Sequence, residues 1–223
     1  DHRDLHSFPT RRSSDLAGCL ALEWPAHFNA RDYVGGWSSL ALRSPSGSAT
    51  DITAHPGPAA PPRDTPLLAR CPHAAALLAR LPCRTESVRL LRQAPGGEIK
   101  PHRDPGLSYR DGVFRLHVPI LSHPDVEFTV AGQRVPMQPG ECWYADFSAT
   151  HAVVNRGPTD RVHLVIDGLR DAATDAWFHA AGFPREAMAP APMPDDVRRQ
   201  VVAELLRQGT PTAEALAASL EAE

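Results

Sequence analysis

From Ser87 to Asp167 the chain alternates short apolar runs with turn residues. "SVRLLRQ", "FRLHVPIL", "VEFTVAG", "QRVPMQ", "ECWYADF", "HAVVN" and "RVHLVID" are separated by Gly, Pro, Asn and Asp. Short strands at roughly ten-residue spacing predict an antiparallel sandwich or barrel. "TVAGQRV" has the form of a hairpin turning at Ala131-Gly132. Upstream, Trp24, Phe28, Tyr33 and Trp37 lead into "SSLALRS", whose alternation fits a further strand. Residues 44–66 are rich in Ser, Gly and Pro and predict a long irregular loop, the kind that serves as a lid or substrate-binding segment.

Helical spacing flanks this block. Leu67, Leu68, Cys71, Ala75, Leu78 and Leu81 recur at helical intervals, with Pro72 marking a helix start. After Asp167, "DAATDAWFHAAG" reads as a helix stopped by Gly182 and Pro184. A Pro/Ala linker leads to "DDVRRQVVAELLRQG", with Val197, Val201 and Leu205 on one stripe, and Thr210-Pro211 opens a last helix carrying Leu216 and Leu220. Three segments are expected: a non-native or disordered leader over residues 1–16, a main domain over 17–182, and a linker with a small helical tail over 183–223. "LHSFPTRRSSDL" in the leader resembles translated adapter read-through, so no functional expectation rests on it.

Composition narrows the field. At 223 residues the chain can bury a sizeable core, and a net charge of −3 supplies no basic field for nucleic acid or an anionic membrane. No apolar run is long enough for a membrane span. The partner expected is a small molecule or peptide, and the oligomeric state is left open. Cys19, Cys71, Cys83 and Cys142 show no C-x-x-C spacing, which fits inert thiols in a reducing cytoplasm better than a zinc knuckle. Lys100 is the sole lysine among many arginines, a bias of GC-rich bacterial coding.

The chemistry lies in "IKPHRDPG". In an extended segment, residues two apart project to the same side, so His102 and Asp104 aim at one point. A third ligand from elsewhere would complete a site for a hard or borderline metal. His151, at the start of an apolar strand, is the candidate, and Arg161 follows on a strand that reads as buried on both faces. A buried arginine there calls for an anion.

The ordered set H-x-D, R-L-H-x-P, G-E-x-W-Y-x-D, H-x-V-x-N and R-x-H-L-x-x-D resembles the aspartyl/asparaginyl β-hydroxylase family, which includes bacterial cis-proline hydroxylases. The resemblance covers roughly residues 24–180. It implies a mainly β fold, a double-stranded β-helix or cupin-like jelly roll, with flanking helices and a small C-terminal helical appendage. It implies an Fe(II)- and 2-oxoglutarate-dependent oxygenase that uses O2 to hydroxylate a carbon of an amino acid, a peptidyl Asp/Asn or a related carboxylate-bearing substrate, releasing succinate and CO2. His102, Asp104 and His151 would hold the metal, Arg161 would pair with the distal carboxylate of 2-oxoglutarate, and Arg115 and His117 would line the co-substrate pocket. Some animal members carry glycine where Asp104 stands. They also place a serine near Leu91, where this chain offers only Arg89 and Arg92 nearby. Asp64 and Thr65 are weaker candidates for the pocket mouth. Two other readings stay open: a non-enzymatic metal- or ligand-binding cupin module, and a metal-dependent cupin enzyme that does not use 2-oxoglutarate.

Overall fold

The computed structural model describes residues 3–7, 14–54, 61–189 and 193–221. Its strands are β1 (Arg3–Ser7), β2 (Tyr33–Val34), β3 (Trp37–Ser44), β4 (Arg63–Asp64), β5 (Thr85–Gln93) and β6 (Glu98–His102). They continue with β7 (Val113–Leu121), β8 (Val126–Val130), β9 (Gln133–Arg134), β10 (Glu141–Tyr144), β11 (His151–Asn155) and β12 (Arg161–Leu169). The helices are α1 (Ser14–Leu20), α2 (Pro72–Leu78), α3 (Ala172–Ala180), α4 (Arg185–Met188), α5 (Asp195–Gln208) and α6 (Pro211–Glu221).

Two antiparallel sheets form, one in the order β1-β10-β7-β12-β5-β3-β4 and the other β2-β6-β11-β8-β9. From β5 onward the chain crosses repeatedly between them: β5 in the larger sheet, β6 in the smaller, β7 larger, β8 and β9 smaller, β10 larger, β11 smaller, β12 larger. That alternation makes a double-stranded β-helix, the expected jelly roll.

The larger sheet has two different faces. On β12, Val162, Leu164 and Ile166 join Leu40, Leu42, Val88, Leu90, Phe114 and Leu116 in a cluster with Phe178 of α3, Met188 of α4 and Phe183 between those helices. Each fully buried side chain of this size contributes about 1.5–3 kcal/mol over exposure, so this cluster carries most of the fold's stability. The opposite face points between the sheets. There the alternate residues Arg161, His163 and Asp167 of β12, Ser87, Arg89 and Gln93 of β5, and Arg115 and His117 of β7 are all buried. A second cluster, with Trp37, Ile99, Phe128, Phe147 and Val153, shares that interior.

The predicted hairpin is present. Ala131 (φ 50°) and Gly132 (φ 75°) both take the left-handed conformation that joins β8 to β9, and Val130 pairs with Gln133. Gly168 answers a close approach instead: a Cβ there would lie 2.6 Å from the Phe114 ring.

Several expectations need correction. A disordered leader does not describe Arg3–Ser7, which pair antiparallel with β10. Nor does it describe Asp15, whose carboxylate caps α2 by accepting from the backbone N–H groups of His73 and Ala74 at 2.9 and 3.1 Å. The expected boundary after residue 182 falls later. The chain divides into Asp1–Ala189 and Pro190–Glu223, because Phe183 and Met188 belong to the first unit's core. In the second unit α5 ends at Gly209 (φ 60°) and pairs with α6. The buried positions there are Val202, Ala213 and Ala217, whereas Val197 and Leu216 are exposed, so the apolar stripe is offset from the expected one. Part of the predicted loop, residues 55–60, lies outside the described residues. The four cysteines form no disulfide among the described residues; Cys19 and Cys71 bring their sulfurs to 3.5 Å in a buried contact.

Candidate metal centre

His102 closes β6, His151 opens β11, and the two are register partners across the antiparallel pair. Asp104 lies two residues past His102, with its backbone N–H donating to the Phe147 carbonyl at 2.9 Å. Strand pairing therefore brings together three side chains that the sequence separates. One ligand atom from each of His102, Asp104 and His151 lies within 4.8 Å of the others. The imidazole centroids are 4.1 Å apart, and Asp104 Oδ1 stands 3.9 Å from His102 Nε2.

Each imidazole is held by its other nitrogen. His102 Nδ1 is 2.7 Å from the Lys100 carbonyl, and His151 Nδ1 is 3.0 Å from the Ala149 carbonyl. Both carbonyls accept, so Nδ1 carries the proton and Nε2 keeps its lone pair for a metal. Burial pushes the His151 pKa down to about 4, the Ala149 carbonyl opposes that, and the neighbouring His102 adds to it. The ring is neutral at physiological pH, the form that ligates.

Beside this triad lies a cavity of about 340 Å³. All six expected site residues line it: His102, Asp104, His151, Arg115, His117 and Arg161. Arg161 opens β12 and is 2% exposed. Its Nη2 donates to His163 Nδ1 at 3.0 Å, while its Nε has no hydrogen-bond partner. Among the described residues no carboxylate pairs with it, and burial alone lowers its pKa to about 9. The guanidinium remains a cation at neutral pH, buried against the Phe128 ring at 5.2 Å. Such an orphaned donor fits a carboxylate supplied from outside the chain. The site thus offers what an Fe(II)–2-oxoglutarate pair requires: two imidazoles, one carboxylate, and a buried fork for the far end of a dicarboxylate.

His117 is stacked on Phe147 at 4.8 Å and places its Nδ1 3.2 Å from His163 Nδ1. Burial, then the charges of Arg161 and Arg115, hold it neutral, with its pKa well below the ordinary value. Arg115 lies between two carboxylates. Its Nε and Nη2 donate to Asp167 at 2.6 and 3.1 Å, and its Nη1 donates to Asp104 Oδ2 at 2.5 Å. Asp167, fully buried, also accepts from Ser87 Oγ at 2.8 Å and Arg89 Nη2 at 3.0 Å. Burial would raise its pKa, but the Arg115 and Arg89 charges overcome this and hold it near 2. The register explains the cluster, since Asp167 on β12 pairs with Ser87 on β5 and with Arg115 on β7.

Of the weaker candidates, Arg89 lines the cavity, with its Nε unpaired, whereas Arg92 forms an ion pair with Asp160. Asp64 pairs with Arg43, and the Thr65 hydroxyl donates to the Ala41 carbonyl, so neither reaches the cavity. His163 and Asp167 were not among the expected site residues, although R-x-H-L-x-x-D contains both. The alternation of Arg161, His163 and Asp167 along one buried strand carried that signal, because all three project to the same face. His27 and Trp37 were also missed; they line the cavity as a stacked pair with centroids 3.6 Å apart.

Residues 20–171 match the family model described as aspartyl/asparaginyl β-hydroxylase. Among solved structures, the chain is similar to the non-heme α-ketoglutarate-dependent epimerase SnoN from nogalamycin biosynthesis, at 15% identity over 75% of each chain with a TM-score of 0.47. It is also similar to a predicted oxalate decarboxylase from Thermotoga maritima, at 16% identity over 68% of this chain and 96% of that one, TM-score 0.39. A cupin-like protein from the same organism matches at 12% identity over 72% and 96%, TM-score 0.37.

Proposed function

The chain belongs to the aspartyl/asparaginyl β-hydroxylase family, and from that premise we propose that it is an Fe(II)- and 2-oxoglutarate-dependent hydroxylase acting on a carboxylate-bearing amino acid, free or peptidyl. The observation that carries the reading is the presence, in one cavity, of the His102–Asp104–His151 cluster and of Arg161, buried with no carboxylate partner among the described residues.

His102, Asp104 and His151 would hold the metal beside the cavity. When bound, Fe(II) with 2-oxoglutarate and O2 supplies the oxidising power. One oxygen atom of O2 ends in the substrate hydroxyl and the other in succinate, with CO2 released. Arg161 receives the distal carboxylate and fixes the co-substrate's orientation. The Phe128, Phe147 and Val153 side chains exclude water from that end. The chain's remaining task is to hold one substrate C–H at the metal's open side. Arg89 and Trp37 bring buried N–H groups without partners to the cavity lining, which favours a polar, anion-bearing substrate.

The test is 2-oxoglutarate-dependent succinate release with Fe(II) and ascorbate across free amino acids and Asp/Asn peptides. Succinate formed in step with a hydroxylated product supports the reading. No turnover, together with no binding of 2-oxoglutarate to the metal-loaded protein, overturns it in favour of a cupin module that never used the co-substrate.

A further inference from the structure

We propose that Arg115 is a positioning residue for the metal site: it fixes Asp104 as a one-oxygen ligand and takes its own orientation from the buried Asp167. The inference rests on the metal reading above and assigns Arg115 a different task from the co-substrate contact that the family resemblance implies.

The geometry leaves Arg115 little capacity for a ligand. A guanidinium has two edges and an end. Here the Nε/Nη2 edge is occupied by Asp167 in a two-point contact at 2.6 and 3.1 Å. Nη1 projects the other way and donates to Asp104 Oδ2 at 2.5 Å. Asp104 is 31% exposed on its side chain, whereas Arg115 is 9% and Asp167 is 0%. The rigid member of the chain is therefore Asp167, held by two further donors, Ser87 Oγ and Arg89 Nη2. Rigidity passes outward from Asp167 to Arg115 to Asp104.

The consequence for Asp104 is specific. With Oδ2 occupied, the oxygen turned toward the histidines is Oδ1, 3.9 Å from His102 Nε2. A free carboxylate on a short loop could rotate and engage a metal through both oxygens or neither. The clamp removes that freedom and would present a single oxygen, Oδ1, to a metal held together with His102 and His151. Charge balance agrees, since Arg89 and Arg115 set two cations against Asp167 and Asp104. Lysine could not replace Arg115, because a single ammonium cannot span two carboxylates on opposite sides with three directed bonds.

The test uses Co(II) as the probe, with binding followed by its visible absorption and by calorimetry on the full chain. Arg115→Gln is expected to weaken Co(II) binding by about tenfold to a hundredfold, the range for loss of a group that orients a metal ligand. In an Asp104→Ala background the same change should alter affinity less than twofold, since the residue it acts through is gone. Arg115→Lys, which keeps the charge, should fall between parent and Arg115→Gln and is read in the same way if Arg115→Gln does not fold by circular dichroism. Parental Co(II) affinity in these variants with a raised dissociation constant for 2-oxoglutarate would overturn the proposal and make Arg115 a co-substrate clamp. An equal loss in both backgrounds would overturn it too. A parent that binds no Co(II) sinks the metal reading and this inference together. A parent that binds Co(II) without turning over 2-oxoglutarate sinks only the co-substrate reading.

Discussion

His102 and His151 face each other across β6 and β11, and each ties its Nδ1 to the carbonyl two residues upstream, at Lys100 and Ala149. One local device, an imidazole hydrogen-bonded to the carbonyl two residues before it, is used twice across the antiparallel pair, within β6 for His102 and in the turn that leads into β11 for His151. His151→Ala is expected to abolish metal-dependent turnover and to leave the metal-free fold intact. Co(II) titration and far-UV circular dichroism together check this. Retained tight Co(II) binding would exclude His151 as a ligand.

Arg161→Ala should raise the 2-oxoglutarate concentration needed for half-maximal turnover by about tenfold to a hundredfold, from the roughly 1.5–3 kcal/mol of a hydrogen-bonded charge. The metal requirement should move little. The same residue predicts a stability change of opposite sense. Among the described residues no carboxylate pairs with the buried Arg161 cation, so Arg161→Met should raise the urea midpoint of the metal-free protein. A lowered midpoint would mean that the arginine already has a partner.

The histidines set the response to acid. Burial lowers the pKa of His27 and His151 to about 4 and holds those of His117 and His163 well below the ordinary value. Unfolding exposes them to water, where they titrate near 6.5, so below that pH the unfolded chain binds more protons than the folded one. Stability of the metal-free protein is therefore fully present above about pH 6.5 and is lost as pH falls toward 4. Each histidine adds up to about 1.4 kcal/mol per pH unit in that window. Asp167 acts in a separate range: its contribution is present above its unfolded value near 3.8 and is lost only as pH falls through about 2. Urea midpoints at pH 7.5, 6.5 and 5.5 measure the slope, and a flat profile would show that these rings titrate alike in the folded and unfolded chain.

Two backbone positions give stability tests that leave the cavity untouched. Ala131 sits at φ 50° in the β8–β9 turn, so Ala131→Gly should stabilise by about 0.5–1 kcal/mol through relief of the left-handed strain. Gly168→Ala should destabilise by about 1–3 kcal/mol, because the new methyl meets the Phe114 ring at 2.6 Å. Equilibrium unfolding of both variants decides the signs.

Much of the fold was legible because jelly-roll strands are short and punctuated. The apolar runs from Ser87 to Asp167 map onto β5 and β7 to β12, and the Ala131-Gly132 turn falls where its dipeptide indicated. The H-x-D spacing likewise gave His102 and Asp104 a shared direction, which β6 and the loop after it preserve. What sequence could not give was lateral register. That Asp167 lies opposite both Ser87 and Arg115 depends on which strands flank β12, and no local pattern encodes it. The domain boundary was missed for a similar reason. Gly182 and Pro184 end a helix, yet the chain beyond them still contributes Phe183 and Met188 to the core, a tertiary fact invisible to stop signals. In the tail, Val202, Ala213 and Ala217 take the buried positions rather than Val197 and Leu216, because the face on which α5 and α6 meet is set by their pairing.

β12 is bordered on one side by β7 and on the other by β5, and it carries Arg161 at its first position and Asp167 near its last. A one-residue slip would turn both outward at once, so this strand tolerates no insertion or deletion. Innovation in what the protein acts on must therefore come from the rim, from the stretch around His27 and Phe28 and from the loop that brings Ala54 to the opening. Chimaeras that exchange those rim segments between relatives should trade substrate preference while leaving metal binding at His102, Asp104 and His151 unchanged.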